Sequence, residues 1–124
     1  MTEPPSVPNG HVIERFHLIA DHDRSRRIGV RIEQLKGGPR RRPAAVLCHG
    51  FKGFMDWGFM PALSAAFADA GFLTISMNTS CNGVSDDPLV MDDEQAFFQD
   101  TYTKQLSDIA QVRAFASEHP NALA

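Results

Sequence analysis

The chain has 124 residues, of which 43% are hydrophobic and 22% are charged, and its formal net charge is −3. This composition is typical of one small globular domain and argues against a disordered, collagen-like or disulfide-stapled chain. Its two cysteines, Cys48 and Cys81, are too few for a disulfide framework, so we expect a reducing, cytoplasmic environment. No stretch approaches the roughly 18 consecutive apolar residues that a membrane helix needs, and we expect no membrane partner.

The charges are unevenly distributed along the chain. Residues 1–52 carry ten Lys or Arg and five Asp or Glu, whereas residues 53–103 carry eight acidic residues and no Lys or Arg. The run Arg40–Arg42 is the one feature that suggests nucleic acid, but no interleaved aromatic residues accompany it. We therefore expect these arginines to lie in a solvated loop, and we expect no nucleic-acid partner.

The first elements in chain order are predicted to form a β-hairpin. Residues 1–10 are rich in proline and are predicted to be a flexible N-terminal segment. Apolar residues then recur at alternate positions over Val12–Ala20 and again over Ile28–Leu35, with the polar residues 21–25 between them. This pattern predicts two antiparallel strands joined by a turn, with one face of the hairpin buried.

The next three elements have the pattern of a βαβ unit. Ala44–Cys48 is a continuous apolar run, which predicts a strand covered on both faces, and a glycine-punctuated loop follows it over residues 49–54. The alanine-rich segment Ala62–Ala70 predicts a helix, and Gly71 is placed to end it with a left-handed cap. Phe72–Met77 is a second short apolar run, so strand, helix and strand follow in order.

The last part of the chain predicts one more helix. An acidic surface loop over residues 86–94 precedes it, and the apolar spacing over Thr101–Glu118 is mostly helical. The start of this helix stays open, because Ala96–Phe98 has the composition to be helical already. The fold class predicted is α/β, with an antiparallel hairpin leading into a parallel βαβ sheet with flanking helices.

In this order the elements resemble the N-terminal part of an α/β-hydrolase. Two blocks carry the resemblance: His49-Gly50-Phe51-Lys52-Gly53 after the first parallel strand, and Asn78–Ser85 after the second. The chain is more narrowly similar to the dienelactone-hydrolase-like and prolyl-oligopeptidase-like serine hydrolases, and the resemblance covers about residues 11–118. It implies a serine hydrolase that acts on an ester-like or other acyl bond of a small-molecule substrate and needs no cofactor.

The first block suits acyl transfer on physical grounds. An oxyanion is best stabilised by backbone N–H groups in a rigid turn, because these donors need no reorganisation during the reaction. Gly50 lets the backbone approach a substrate closely. The resemblance implies that the N–H of Phe51 is one oxyanion donor and that His49 supports the loop by hydrogen bonding rather than acting as the catalytic base.

Other residues near this loop are candidate substrate contacts. Lys52, Phe54 and Trp57 are the residues we single out, although a solvated side chain is the favoured explanation of Lys52. The Phe- and Met-rich segment 51–60 has the composition of a pocket wall or of a simple lid over the sheet. No metal-ligand spacing is present, and the thiol of Cys48 is expected to be buried and inert.

A serine nucleophile in the required Gly-x-Ser-x-Gly turn is missing from the sequence. Ser85 comes closest, but Asp87 stands where the second glycine is needed, and the only histidine after this loop is His119. We therefore expect residues 11–124 to be an incomplete domain that lacks the nucleophile strand and everything after it, and that is inactive alone. The Ala44–Cys48 strand would then lie between the Phe72–Met77 strand and the missing one.

Two alternatives to this interpretation remain at the level of sequence. The chain has the features of a non-catalytic binding module that self-associates through its exposed strand edge, because an unpaired strand offers a row of backbone groups to a partner. A weaker alternative assigns His49 and Lys52 to some chemistry that needs no serine.

Overall fold

The computed structural model describes residues 10–50 and 52–123, and within them the helices and strands follow the predicted order. The elements are β1 (His11–Ile19), β2 (Arg27–Leu35), β3 (Ala44–Cys48), α1 (Met60–Asp69), β4 (Leu73–Asn78), α2 (Glu94–Phe98) and α3 (Tyr102–Glu118). The four strands form one sheet in the order β1-β2-β4-β3. β1 with β2 and β2 with β4 are antiparallel, whereas β3 and β4 are parallel.

The predicted β-hairpin is confirmed, but the expectation of a single buried face is wrong for β2, in which Arg31 and Glu33 on the other face are also buried. β1 pairs with β2 along its whole length, and the connecting turn is closed by a bond from Ala20 N–H to the Arg26 carbonyl (3.0 Å). The alternating residues Ile28, Val30 and Ile32 are fully or almost fully buried. They form the hydrophobic core with β4 and α3, because a period of two places them on one face of the sheet.

The flexible segment predicted for residues 1–10 lies outside the described residues except for Gly10. The carbonyl of Gly10 accepts a hydrogen bond of 2.7 Å from the N–H of Lys36, which extends the hairpin by one pair.

Helix α1 begins and ends close to the predicted positions. A proline, Pro61, lies in its first turn, where a missing N–H costs nothing. Gly71 follows the helix with a φ of +95°, which confirms the left-handed cap. The buried Ser64 docks the helix on the sheet, because its Oγ donates to Glu33 Oε1 of β2 (2.7 Å).

Strand β3 is correctly predicted in extent but not in burial. All six residues of β4 are buried, whereas Leu47 is the only buried residue of β3. Because β3 lies at the edge of the described sheet, the expectation of a strand covered on both faces is wrong. The expectation of a buried Cys48 thiol is also wrong for the same reason, since Cys48 is exposed at the end of this strand.

Residues 121–123 lie along the outer edge of the sheet, just before β3 begins. Arg42 N–H donates to the Asn121 carbonyl and Leu123 N–H donates to the Arg42 carbonyl, both at 2.8 Å. These bonds form a parallel bridge between Arg42 and Ala122. The chain therefore runs here in the same direction as β3 and on its unpaired side.

Arg42 corrects the expectation that all three consecutive arginines are solvated. Its side chain is buried, and its guanidinium donates to the carbonyls of Leu35, Gly37 and Pro39 at 2.8, 2.6 and 2.8 Å. Five N–H donors in a planar fork can satisfy several carbonyls of one loop at once. Arg42 thus shapes the connection between β2 and β3.

Two helices fill the segment where the sequence left the helix start open. Asp93 caps α2 by accepting the N–H of Ala96 (3.0 Å), and Thr101 caps α3 by accepting the N–H of Lys104 (3.2 Å). The buried face of α3 includes Val112 and Ala116, which pack on the sheet. Within the described residues, none of the helices has the length and apolar character needed to cross a bilayer.

Candidate functional site

His49 connects the loops that follow β3 and β4. Its Nε2 lies 3.2 Å from the backbone N of Thr79 and 3.3 Å from Thr79 Oγ1, and its Nδ1 lies 2.9 Å from the carbonyl oxygen of Gly50. Because β3 and β4 are parallel, both loops emerge at the same end of the sheet, where the carboxyl ends of the two strands lie. In open α/β sheets, ligands bind at the carboxyl ends of the strands.

The hydrogen-bond partners of His49 show which of its ring nitrogens carries a proton. A backbone N–H only donates, so Nε2 accepts from Thr79, and a carbonyl only accepts, so Nδ1 donates to Gly50. Burial lowers the pKa of His49 and outweighs the raising effects of the Gly50 carbonyl and the Asp100 charge. The ring is therefore neutral, and its only lone pair is occupied by Thr79. This geometry fits a residue that supports the loop and leaves no nitrogen available to take a substrate proton.

A tight turn follows His49. The N–H of Gly53 donates to the Gly50 carbonyl (2.9 Å), and Lys52 has a φ of +60°, a conformation that few residues other than glycine adopt. A Cβ at Gly53 would lie 3.0 Å from the Gly50 carbonyl oxygen, whereas a Cβ at Gly50 would meet nothing within 4 Å. The turn thus packs tightly on the Gly53 side and is open at Gly50. Phe51 lies outside the described residues, and its role as an oxyanion donor stays a prediction.

A cavity of about 140 Å³ lies between the two loops, and we call it the inter-loop cavity. It brings together the predicted residues His49, Gly50 and Lys52, and it is also lined by Gly53, Asn82, Phe97, Asp100 and Gln105. Phe54 and Trp57 do not line it: Phe54 is buried, Trp57 is 61% exposed, and their rings lie 6.0 Å apart. A substrate contact at either of these two residues stays a prediction.

Sequence reasoning missed two polar residues of the inter-loop cavity. Asn82 is only 5% exposed, its Oδ1 accepts the N–H of Val84 (3.0 Å), and its Nδ2 has no partner in the part of the chain that the structure describes. Asp100 Oδ2 accepts from Gln105 Nε2 (2.9 Å), whereas the buried Oδ1 has no partner there either. In the sequence, Asn82 is only part of the block Asn78–Ser85 and Asp100 belongs to no motif, because a missing hydrogen-bond partner is visible in three dimensions alone.

The loop after β4 is anchored by a Ser, a His and an Asp that do not form a catalytic triad. Ser80 donates to Asp108 Oδ2 through both its backbone N–H (2.7 Å) and its Oγ (2.8 Å). His22 Nε2 lies 2.8 Å from Ser80 Oγ and 3.2 Å from Asp108 Oδ1. In a triad the histidine lies between the other two and takes the serine proton. Here Ser80 donates directly to the buried Asp108, so the cluster fixes the loop and does not activate the hydroxyl.

The segment after the Gly50–Gly53 turn is held against the sheet. Met55 N–H donates to Asn78 Oδ1 at the end of β4 (2.8 Å). Asp56 accepts from Arg31 of β2 at 2.6 Å and from Arg15 of β1 at 2.7 and 3.1 Å. These contacts hold the segment after the turn against β1, β2 and β4. Within residues 10–50 and 52–123, no cluster of three or more His, Cys, Asp or Glu side chains is arranged to hold a metal ion.

Neither protein-family models nor curated proteins match this chain, but solved structures do. It is similar to the hypothetical protein PA2218 from Pseudomonas aeruginosa, with a TM-score of 0.72 and 14% identity over 94% of this chain and 34% of that one. It is also similar to Est1E from Butyrivibrio proteoclasticus, solved with ferulic acid, with a TM-score of 0.71 and 19% identity over 87% of this chain and 39% of that one. A third similar structure is a cold-adapted esterase from an Arctic intertidal metagenomic library, solved with PEG. Its TM-score is 0.67, and the identity is 13% over 94% of this chain and 50% of that one.

These likenesses concern the fold. The chain has an α/β-hydrolase fold, as predicted from the hairpin that leads into the parallel β3 and β4. It spans 34% to 50% of the length of these three neighbours.

Proposed function

We propose that this chain supplies the oxyanion side of a serine hydrolase that cleaves an ester or a related acyl bond. The observation that carries the proposal is the bridge from Thr79 through His49 to Gly50, which fixes a glycine turn at the carboxyl ends of two parallel strands. Backbone donors in a fixed turn are what a developing oxyanion requires. The fold shared with two esterases supports the same conclusion.

In the proposed reaction a serine hydroxyl attacks the acyl carbon while a histidine takes its proton, and the same histidine returns that proton to the leaving alcohol. Water then adds to the acyl-enzyme, releasing the acid and restoring the serine. The Phe51 N–H holds the oxyanion, and Lys52, Phe54 and Trp57 are candidate contacts to the small-molecule substrate. No cofactor takes part in this scheme, and the dienelactone-hydrolase-like or prolyl-oligopeptidase-like subtype remains part of the proposal.

The serine, the acid and the catalytic histidine of this scheme come from chain beyond the 124 residues. The coverage of 34% to 50% of the neighbouring structures supports this part of the proposal. Residues 121–123 run parallel to β3 on its unpaired side, so a strand continuing in that direction would end beside Gly50. The two free cysteines are in keeping with a cytoplasmic location.

The test is to read the coding sequence past codon 124 and to express the protein that it encodes. We expect a Gly-x-Ser-x-Gly turn within about one strand length of Ala124, hydrolysis of p-nitrophenyl acetate, and covalent labelling by a fluorophosphonate. Replacing that serine with Ala should abolish both signals. A stop codon directly after Ala124, or an encoded protein that neither hydrolyses the ester nor takes the label, would contradict the proposal.

A second candidate function is favoured by the free edge of β3. Apart from the bridge to residues 121–123, the described chain places no strand beside this edge. An exposed strand edge pairs readily with another chain, and a second copy of this one is a suitable partner. Light scattering of the 124-residue chain tests this function: a defined oligomer that takes no fluorophosphonate supports a pairing module, and a monomer at all concentrations argues against it.

A further inference from the structure

A cavity of about 280 Å³ lies at the end of the sheet opposite the Gly50–Gly53 turn, and we call it the basic cavity. Among the described residues that line it, three are cationic and none is acidic. The cations are Lys36, which follows β2, and Arg40 and Arg42, which precede β3. Because β2 is antiparallel to β4 and β3 is parallel to it, the carboxyl end of β2 and the amino end of β3 lie at one end of the sheet. The basic cavity is therefore separate from the inter-loop cavity.

The positive charge of the basic cavity has no counter-charge in the part of the chain that the structure describes. Lys36 and Arg40 are exposed, and their side chains form no ion pair there. Arg42 is only 6% exposed, and its guanidinium donates to three backbone carbonyls, which carry no net charge. Two of these carbonyls, those of Leu35 and Gly37, flank Lys36 in the chain. A buried charge is normally paired with an opposite one, and the described residues supply none.

We propose that the basic cavity binds the phosphate group of a small phosphorylated molecule. At pH 7 such a group carries a charge of about −1.5 to −2 and three strong acceptor oxygens, which matches several cations with no acid between them. The planar guanidinium of Arg40 can donate two parallel N–H bonds to it, and Lys36 adds a point charge. A carboxylate carries only one charge, and a neutral group would leave the cations uncompensated.

A buried amide supports a ligand site rather than a merely solvated basic surface. Gln34 continues the core face of β2 beyond Ile32 and is only 8% exposed. Its Oε1 accepts from Asn121 Nδ2 (3.3 Å), which sets the orientation of the amide. Its Nε2 has no hydrogen-bond partner among the described residues, and it is not one of the fully buried unpaired atoms there. Since Gln34 and Asn121 both line the basic cavity, Nε2 adds a neutral donor to its wall.

The size and charge of the surroundings favour a small molecule over a nucleic acid. Pockets for drug-sized ligands measure about 300–1,000 Å³, so a cavity of about 280 Å³ suits a phosphate with a small organic group such as a sugar. The net charge of −3 on the chain repels a polyanion at long range, whereas a single phosphate responds mainly to the local cations. Arg42 is enclosed, which leaves Lys36 and Arg40 as the exposed cations of the cavity.

This site is independent of the proposed acyl chemistry, because it lies at the other end of β3 from the Gly50–Gly53 turn. A ligand there would contact Asn121, whose carbonyl accepts the N–H of Arg42 beside β3. A molecule that binds only the folded chain stabilises it. Binding needs no turnover, so a failure of this proposal and a failure of the hydrolase proposal are seen in different experiments.

The test is an NMR titration of the isotopically labelled 124-residue chain at pH 7 with inorganic phosphate, glucose 6-phosphate and a short DNA duplex, at one ionic strength set by NaCl. We expect both phosphates to shift the backbone signals of Gly38 and Asn121 in a saturable way. Glucose 6-phosphate should bind about fivefold more tightly than inorganic phosphate, the effect of one further net hydrogen bond. Shifts that do not saturate, or glucose 6-phosphate binding no more tightly than inorganic phosphate, would overturn the proposal. Tightest binding of the duplex would assign this surface to nucleic acid and overturn it as well.

Charge-removing substitutions test which side chains hold the phosphate. Arg40→Gln and Lys36→Gln each remove one exposed cation and should weaken glucose 6-phosphate binding by about threefold to tenfold. Arg24→Gln is the matched control, because it removes the same charge from the exposed turn at the other end of β2, about 30 Å away along the nine-residue strand. It should change binding by less than about twofold, since this distance exceeds the Debye length. Equal effects of all three variants would show a response to net charge alone and would refute the site.

Gln34→Glu tests the buried donor. It keeps an oxygen that accepts from Asn121 and replaces Nε2 with a second, negatively charged oxygen, so we expect binding to weaken by more than about tenfold. Unchanged binding in this variant would refute the role of the amide. If the variant does not fold, the two exposed cations and their control decide the proposal.

Discussion

Replacing His49 with Ala should destabilise the chain, because one ring holds two loops. The substitution removes the acceptor for the buried Thr79 N–H and the donor to the Gly50 carbonyl. A net hydrogen bond contributes about 1 kcal/mol and an unpaired buried N–H costs about 1–3 kcal/mol, so we expect a loss of about 2–3 kcal/mol in the free energy of unfolding. With a urea m value of about 1.5 kcal/mol per molar, the midpoint should fall by about 1–2 M.

Thr79→Val is the matched control, because it removes only the Oγ contact at 3.3 Å and keeps the backbone N–H bonded to His49. We expect it to cost less than about 1 kcal/mol. Equal losses in the two variants would refute the claim that the backbone N–H is the main partner.

The effect of His49→Ala should also depend on pH. Burial lowers the pKa of His49 in the folded chain below its ordinary value of about 6.5, since it outweighs the Gly50 carbonyl and the charge of Asp100. The stability that neutral His49 provides is therefore complete above about pH 6.5 and is lost as the pH falls through the folded pKa. Urea unfolding near pH 7.5 and near pH 5 should show a smaller difference between unaltered chain and variant at the lower pH. The same difference at both values would contradict the neutral tautomer.

Two further predictions concern the turn and the N-terminal strand. Gly53→Ala should lower the free energy of unfolding by about 1–3 kcal/mol, because the added Cβ would lie 3.0 Å from the Gly50 carbonyl oxygen. Gly50→Ala should change it by no more than about 0.5 kcal/mol, because its Cβ would meet nothing within 4 Å. Urea unfolding compares the two variants, and equal losses would refute the packing argument. Burial alone would lower the pKa of His11, but its hydrogen bonds to Glu33 and Asp69, both 2.6 Å, outweigh burial and raise it. The stability that protonated His11 provides is complete below about pH 6.5 and is lost as the pH rises through the folded pKa. His11→Ala should therefore lose more free energy of unfolding near pH 6 than near pH 9, as measured by urea unfolding. The reverse order would refute a ring that is hydrogen-bonded to both carboxylates.

The fold was predictable wherever one local pattern decides the conformation. The alternation Ile28, Val30, Ile32 suffices for a strand, although it does not show that Arg31 and Glu33 on the other face are buried too, and Gly71 suffices for a helix end. Burial was not predictable where it depends on neighbours. The apolar run of β3 cannot reveal that the strand lies at a sheet edge, and the charge of Arg42 cannot reveal that three carbonyls surround it.

The candidate site was predictable in part, for the same physical reason. His49 and Gly50 stand directly after an apolar strand, so their place at the carboxyl edge follows from the sequence order. Asn82 and Asp100 carry no such signal, because what distinguishes them is a hydrogen bond that they do not make. A sequence pattern shows the contacts that a helix or strand itself requires, whereas an unpaired hydrogen-bonding atom can be recognised only in the folded structure.

The anchoring of the two loops explains how the turn after His49 is held in a defined geometry. Thr79 and Ser80 are adjacent, and their backbone N–H groups donate to His49 of the β3 loop and to Asp108 of α3. Asn78, the residue before them, is fixed by the segment that follows the glycine turn. Three consecutive residues are thus tied to three different parts of the described fold, and the glycine turn inherits this rigidity through His49. An oxyanion site acts because its donors do not reorganise, so the scaffold that prevents reorganisation is separable from the groups that react. The Ser, His and Asp that meet at Ser80 belong to that scaffold, which is why their presence does not make them a triad.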